Sequence, residues 1–470
     1  MKNLKEKIGY GLGDMASSMF WKIFSYYLPF FYSNVFGLSL LDAGILVLVT
    51  RIWDAVSDPM MGIAADRTHT RWGKYRPYLL WVAVPFSVCG ILLFTTPDWS
   101  YAGKLLWAYV TYILMMTVYT GINVPYGAML GVITDDSREK TVYSSFRMLF
   151  AYAGSFISLA AWEPMCDFFG SVAHANLQHS WQYSMMVIAT ACLVLFLLCF
   201  KLTREQVTTR STVSIGSDFR SLMRNSPWWI MIGAALCSNL FNTVRGATVA
   251  YFFADVIGPD ASIYVFSLAV LFYSGLFLGI GEVANMVGVA LTVPVSARLG
   301  KKTTFILVNI ALAVLSVAFF FLPVSQGGYW AMLGMQIVIS VLTGIMSPLI
   351  WSMYADVSDY AELRNKTAST GLIFSSASMA QKFGGAFGGA AVLWLLGACG
   401  YVARGAGESA AVIAQPESAI TCLWALMSFI PAAVAVIAVV VVYFYPLTTE
   451  RVNDIVAQLK ALRMPVPSEE

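Results

Sequence analysis

Two aspartates in an otherwise apolar stretch, Asp54 and Asp58 of Arg51-Ile52-Trp53-Asp54-Ala55-Val56-Ser57-Asp58-Pro59, carry the first chemical signal in this sequence. On a helix, residues four apart stand one above the other on one face. Two carboxylates so close repel, which invites a cation or a proton between them. Pro59 has no N–H to give to the carbonyl of residue 55, so that oxygen is free as a further ligand. Arg51 neutralises one aspartate at most. A second cluster is Thr120-Gly121-Ile122-Asn123-Val124-Pro125-Tyr126, in which Thr120 and Asn123 share a helical face and Pro125 frees the carbonyl of Gly121. Oxygen ligands of this kind suit a hard ion such as Na⁺, whereas the carboxylate pair alone suffices for H⁺. Thr and Asn in such positions also serve as plain interhelical hydrogen-bond partners.

Four further cations sit in apolar runs: Lys22, Arg147, Arg245 and Lys382. A charge at the centre of a bilayer costs about 2.5–3.5 kcal/mol, so each is a functional candidate. Arg147 lies near a span end, from which it can snorkel to the membrane surface. Lys382 is about halfway along its span and is followed by Gly384 and Gly385, which let a neighbour approach. Lys22 lies four residues after Ser18 on one face. Left uncompensated, these four cations would favour an acidic or sulfated sugar; paired with Asp14, Glu163, Asp255 or Glu282, they would not. Trp351 and the many aromatics could stack on a sugar ring.

The elements that must position these groups follow from composition. The chain has 470 residues, 58% hydrophobic and 12% charged, against about 25% charged in soluble domains. That excludes a water-soluble protein. Continuous apolar runs such as 191–200 and 434–442 exclude an alternating-strand membrane barrel. The expected fold is an all-α membrane protein with twelve transmembrane spans near 9–36, 40–65, 78–97, 105–132, 141–169, 183–200, 227–256, 264–297, 303–324, 328–356, 368–398 and 418–446. Of the 29 Lys and Arg residues, 22 fall in the N-terminus, the even-to-odd loops and the tail, two in the opposite loops and five in spans. This asymmetry predicts both termini in the cytoplasm. The eighth stretch is too long for one upright span, so residues 263–275 should project from the outer face. The N-terminal apolar run has no small-residue cleavage site and reads as a retained span.

Two echoes suggest paired halves. Gly62, Asp66, Arg67 and Arg71-Trp72-Gly73-Lys74-Tyr75-Arg76-Pro77 after span 2 answer Arg298-Leu299-Gly300-Lys301-Lys302 after span 8, and Pro125 with Asp135-Asp136 answers Pro348 with Asp356 and Asp359. Two six-span repeats are the pattern of a rocker transporter. The division is 1–202 for the first bundle, 203–226 for a cytoplasmic linker, 227–446 for the second bundle and 447–470 for an amphipathic tail expected on the inner membrane surface. Asp66, Arg71, Lys74 and Arg76 are candidate gating residues that hold the halves together on the cytoplasmic side in the outward-facing state. Short basic loops also serve topology alone.

The seven cysteines include no C-x-x-C pair and read as small buried hydrophobes, and no nucleotide-binding or metalloprotease motif is present. A net charge of +3 gives no reason to expect nucleic acid. Transport driven by an ion gradient remains; a membrane enzyme or a non-transporting sugar sensor is the rival class.

Tyr10-Gly11-Leu12-Gly13-Asp14, 51–62, 71–77, Asn123-Val124-Pro125-Tyr126-Gly127 and Ala355-Asp356-Val357-Ser358-Asp359-Tyr360-Ala361-Glu362 together resemble the glycoside–pentoside–hexuronide:cation symporters of the major facilitator superfamily, the branch of melibiose permease and the xyloside and glucuronide carriers. The resemblance covers about 5–448. It implies sugar import by symport with H⁺ or Na⁺ through alternating access, no other cofactor, a multi-pass monomer in a bacterial inner membrane, and a lipid bilayer as surroundings. It implies a coupling-cation site at Asp54 and Asp58 with Ser57 and Thr120 as supporting ligands. A sugar pocket shared by both halves would draw on Ser18, Lys22, Asn123, Tyr126, Arg147, Arg245, Trp351 and Lys382. Melibiose permease has Asp where this chain has Ser18 and Asn123, which argues against a galactoside and against Na⁺.

Overall fold

The computed structural model describes residues 4–134, 137–172, 174–206, 225–259, 261–265, 268–365, 370–403 and 414–463. Apolar side chains running unbroken for tens of residues leave the backbone no outside hydrogen-bond partner, so it satisfies itself as helix. The first half contains α1 (Leu4–Phe30, continued by a π-helical turn Phe31–Phe36), α2 (Leu40–Asp66), α3 (Arg76–Trp81), α4 (Ala83–Leu93), α5 (Tyr101–Ile133), α6 (Ser137–Ser171) and α7 (Leu177–Leu202). The second half contains α8 (Ser226–Phe252, with a π turn Phe253–Ile257), α9 (Ser274–Leu299), α10 (Lys301–Phe319), α11 (Gln326–Asn365), α12 (Thr370–Ala398), α13 (Glu417–Met427), α14 (Phe429–Tyr443) and α15 (Thr449–Arg463). Local sequence sets many of the ends. Ser39, Asn176 and Asn225 cap α2, α7 and α8 by accepting from the backbone N–H three residues on. Gly37 closes the first tract in a left-handed conformation, φ 86°.

Taken as tracts, α3 with α4 and α13 with α14 each form one interrupted helix, which gives six tracts per half among the described residues. Six helices, α5, α7, α9, α10, α11 and the α13–α14 pair, are long and apolar enough to cross a membrane by length and composition. The halves meet where α2 packs on α12, α6 on α9 and α1 on α8, and ion pairs cross between them from Lys22 to Glu282 and from Lys382 to Asp54 and Asp58. One buried apolar cluster fills the first half and continues into the neighbouring ends of α8, α9 and α12; another lies within the second half.

Two expectations need correction. Residues 263–275 do not lead the eighth span as helix: Ser262–Val265 and Leu268–Leu271 pair as an antiparallel two-stranded hairpin, and α9 begins at Ser274. The β-branched and aromatic residues Ile263, Tyr264, Val265 and Val270 favour that extended form. The tail forms a helix, Thr449–Arg463. It packs against α11, and Ile455 and Leu459 are buried in the apolar cluster of the second half. The tenth span runs on as helix to Asn365, past Asp356 and Asp359. Asp135, Asp136 and most of the linker lie outside the described residues, as do the side chains of Asp66 and Leu462.

At the end of the molecule that carries the termini, the loops are tied down within each half. The Glu205 carboxylate accepts the backbone N–H groups of Lys74, Tyr75 and Arg76 at 2.7–2.8 Å. The Arg76 guanidinium donates twice to the Phe200 carbonyl, at 2.8 and 2.6 Å, and stacks on the Phe200 ring. In the second half the Lys301 ammonium sits 2.7 Å from Asp356. At the opposite end the halves are joined to each other. Ser33 and Tyr251 hydroxyls meet at 2.7 Å, Tyr27 and Ser274 at 2.8 Å, and Tyr273 donates to the Ala160 carbonyl at 2.8 Å.

Candidate functional site

The helical phase of α2 aims Asp54 and Asp58 at the same neighbour, as their spacing requires. Thr120 of α5 donates towards Asp54 Oδ1 at 3.2 Å and Asp58 Oδ1 at 3.0 Å, and Ser57 Oγ lies 3.3 Å from Thr120 Oγ1. Asp54 is 1% exposed and Asp58 is part-buried. Two carboxylates and two hydroxyls from neighbouring helices thus converge, with ligand atoms suited to a small hard cation or a shared proton. Into the same place comes Lys382 of α12. Its ammonium lies 3.2 Å from Asp54 Oδ2 and also bonds Asp58. Arg51, the neighbour that the sequence offers as a neutralising charge, stacks its guanidinium over Trp21 at 4.7 Å and Phe24 at 5.1 Å.

Beside this cluster, between the halves, is a cavity of about 420 Å³. Its lining includes Lys22, Asn123 and Lys382 of the expected sugar-binding set. Ser18, Tyr126, Arg147 and Trp351 lie outside it. Tyr126 is fully buried, donates to the Tyr10 carbonyl at 2.6 Å and stacks on the Tyr10 ring. Arg147 pairs with Asp14 at 2.9 Å, and the Trp351 ring packs beside that of Tyr354. Arg245 lines a separate small chamber, held by the Met427 carbonyl and Gln336 at 2.9 Å each.

Three of the four cations are therefore compensated, and Arg245 is held by neutral acceptors alone. Lys22 pairs with Glu282 at 2.6 Å, Arg147 with Asp14, and Lys382 with the aspartates of α2. Burial makes an unpaired charge costly, so the chain supplies a carboxylate to each of these three. What the cavity offers instead is neutral: Asn123, Asn239, Asn242, Asn285, Gln381 and the hydroxyls of Thr243, Thr343, Ser347 and Ser378, with Trp21 and Tyr26 as aromatic faces. Sequence reasoning singled out Asn123 and passed over the other carboxamides. Asn239 with Asn242, and Ser378 with Gln381 and Lys382, recur at helical spacing in apolar surroundings, a pattern that marks a polar stripe facing a cavity.

The candidate gating residues behave differently from one another. Lys74 and Arg76 engage Glu205 and Phe200 of their own half, and Arg71 stacks on Trp72 at 4.5 Å. Among the described residues no group of three or more His, Cys, Asp or Glu could hold a metal ion, and all seven cysteines are free.

Residues 9–449 match the family model for MFS/sugar transport proteins. Inner membrane symporter YicJ of Escherichia coli is 34% identical over 97% of this chain and 95% of its own length, and the putative glycoside/cation symporter YagG of the same organism is 35% identical over the same shares. Among solved structures, a bacterial homologue of the human drug peptide transporters superposes with a TM-score of 0.69 at 12% identity, covering 98% of this chain and all of that one, which shows the fold. The helical layout, the ion-bearing helices between the halves and a sequence match over nearly the full length agree: this multi-pass membrane protein belongs to the glycoside–pentoside–hexuronide symporters of the major facilitator superfamily, which are transporters and not enzymes.

Proposed function

We propose that this chain imports a neutral glycoside together with a monovalent cation, H⁺ or Na⁺, by opening the central cavity to the two membrane faces in turn. The observation that carries the reading is the cavity wall: uncharged carboxamides and hydroxyls with aromatic faces, next to a paired carboxylate cluster. A sugar ring presents hydroxyls that donate and accept and apolar C–H faces that stack on aromatics, so this lining suits it without any net charge. Three of the four cations, Lys22, Arg147 and Lys382, already have carboxylate partners, which favours a neutral substrate over a uronide or a sulfated sugar.

In this reading the coupling cation binds at Asp54 and Asp58 with Thr120 and Ser57, in competition with the Lys382 ammonium. A cation entering there releases Lys382 towards the cavity, where its ammonium can donate to a sugar hydroxyl; cation and sugar then each favour the binding of the other. The contacts between halves at Ser33–Tyr251, Tyr27–Ser274 and Tyr273–Ala160 support closure of the face opposite the termini. The excess of basic residues in the loops on the side of the termini supports a cytoplasmic position for both termini.

Counterflow of labelled methyl glycosides in proteoliposomes tests the carrier, and imposed pH or Na⁺ gradients test the ion. Exchange with no sugar of a broad panel would leave a non-transporting sensor as the better reading.

A further inference from the structure

We propose that Glu282, positioned by Lys22 from the other half, is a specificity-determining hydroxyl acceptor of the glycoside site. The inference rests on the reading of the chain as a glycoside carrier. Glu282 stands on α9, Lys22 on α1, and the ammonium meets Oε1 at 2.6 Å while also lying 3.3 Å from the Tyr26 hydroxyl. Tyr26 in turn packs over Gly246 of α8, where an added Cβ would strike its ring. This corner of the cavity is therefore built jointly by both halves and is closely fitted.

One oxygen of the pair is left over. Glu282 is 3% exposed, yet its Oε2 has no hydrogen-bond partner. A buried carboxylate oxygen without a donor is costly, and it is the strongest kind of acceptor for a hydroxyl. Glu282 lines both the central cavity and the adjoining chamber of about 40 Å³, so it stands where the two meet. Arg245 lines that chamber too, is 4% exposed, and its Nε–H is likewise without a partner. A hydroxyl both donates and accepts, so one sugar hydroxyl reaching this place answers both orphaned groups. A methyl group answers neither, and an ether oxygen can accept from Arg245 but has nothing to donate to Glu282. Lys22 holds the carboxylate in place, and the substrate hydroxyl completes it.

The consequence is selectivity at one position of the sugar. A site built to bond a hydroxyl rejects the analogue that lacks it, because its own buried groups are then left unpaired. Calorimetry on the purified full-length protein with methyl β-glucoside, methyl β-xyloside and their monodeoxy derivatives reads this out. The parent should lose about 10- to 100-fold in affinity for one deoxy derivative. Glu282→Gln should weaken binding of the parent glycoside by a similar factor while binding that deoxy derivative as the parent protein does. The double variant Lys22→Met/Glu282→Gln removes the charge pair together, and should show the same selective loss with an unchanged melting temperature. A uniform loss for every glycoside, or parental affinity in both variants, would overturn the inference and leave the pair as a structural strut. If the unaltered protein binds none of these glycosides, the carrier reading falls first and this inference with it.

Discussion

Gly275 of α9 lies so close to the Leu159 carbonyl of α6 that a Cβ would run into it, which makes this glycine a point of backbone contact between the halves at the end opposite the termini. Gly275→Ala should hold that end apart. Transport should fall by at least tenfold, while binding of a methyl glycoside to the purified protein stays within a few-fold of parental. Equal transport by Gly275→Ala would mean that the contact is not part of the cycle.

The carboxylate pair makes a separate prediction. Asp54→Asn and Asp58→Asn each remove one of the two charges that face Thr120 and Lys382, so uphill accumulation should drop to the equilibrium level while downhill exchange persists in part. Lys382→Met leaves the aspartates four residues apart without their ammonium. Added Na⁺ or lowered pH should then raise the melting temperature of this variant more than that of the parent, since a bound ion stabilises by an amount that grows with the logarithm of its concentration.

Glu205 accepts three backbone N–H groups from Lys74, Tyr75 and Arg76. Glu205→Ala strips all three at once and should cost about 1–3 kcal/mol, seen as a lower melting temperature in detergent. Neutralising Arg71, Lys74 and Arg76 together should slow conformational exchange, read as counterflow rate, and leave sugar affinity largely intact.

A thermal-shift screen separates the substrate classes. Neutral glycosides at millimolar concentration should stabilise the protein, and uronides or sulfated sugars should do so less, because Lys22, Arg147 and Lys382 already have carboxylate partners. Stronger stabilisation by acidic ligands would reverse that order and restore the acidic-sugar reading.

What could be read from the sequence and what could not divides along one physical line. Asp54, Asp58 and Ser57 share one helix, and the 3.6-residue period alone fixes their relative positions. The charge asymmetry of the loops and the polar interruptions in the apolar runs gave the helical layout. Pairings between helices have no such ruler. Lys22 and Glu282 are 260 residues apart, and Lys382 and Asp58 are 324 apart. Counting intramembrane charges of each sign names the candidates but not who meets whom. Tyr126 and Trp351 lie outside the cavity lining for a related reason: an aromatic in a membrane helix packs against neighbours as readily as it lines a cavity, and only the rotation of the whole helix decides. The 262–271 hairpin escaped because a short β-branched run between helices reads equally as the start of the next one.

Lys382 is, in effect, a counter-ion on a leash. A carrier that must return empty would otherwise drag two bare carboxylates through a low-dielectric interior, and would then move negative charge against or along the membrane voltage. With the ammonium seated between Asp54 and Asp58, the unloaded cluster carries one net negative charge at most, and that charge stays the same on every empty return. On the symport reading, a monovalent cation would bring this cluster to zero, so the loaded stroke would be electrically silent and the empty return would carry the voltage dependence.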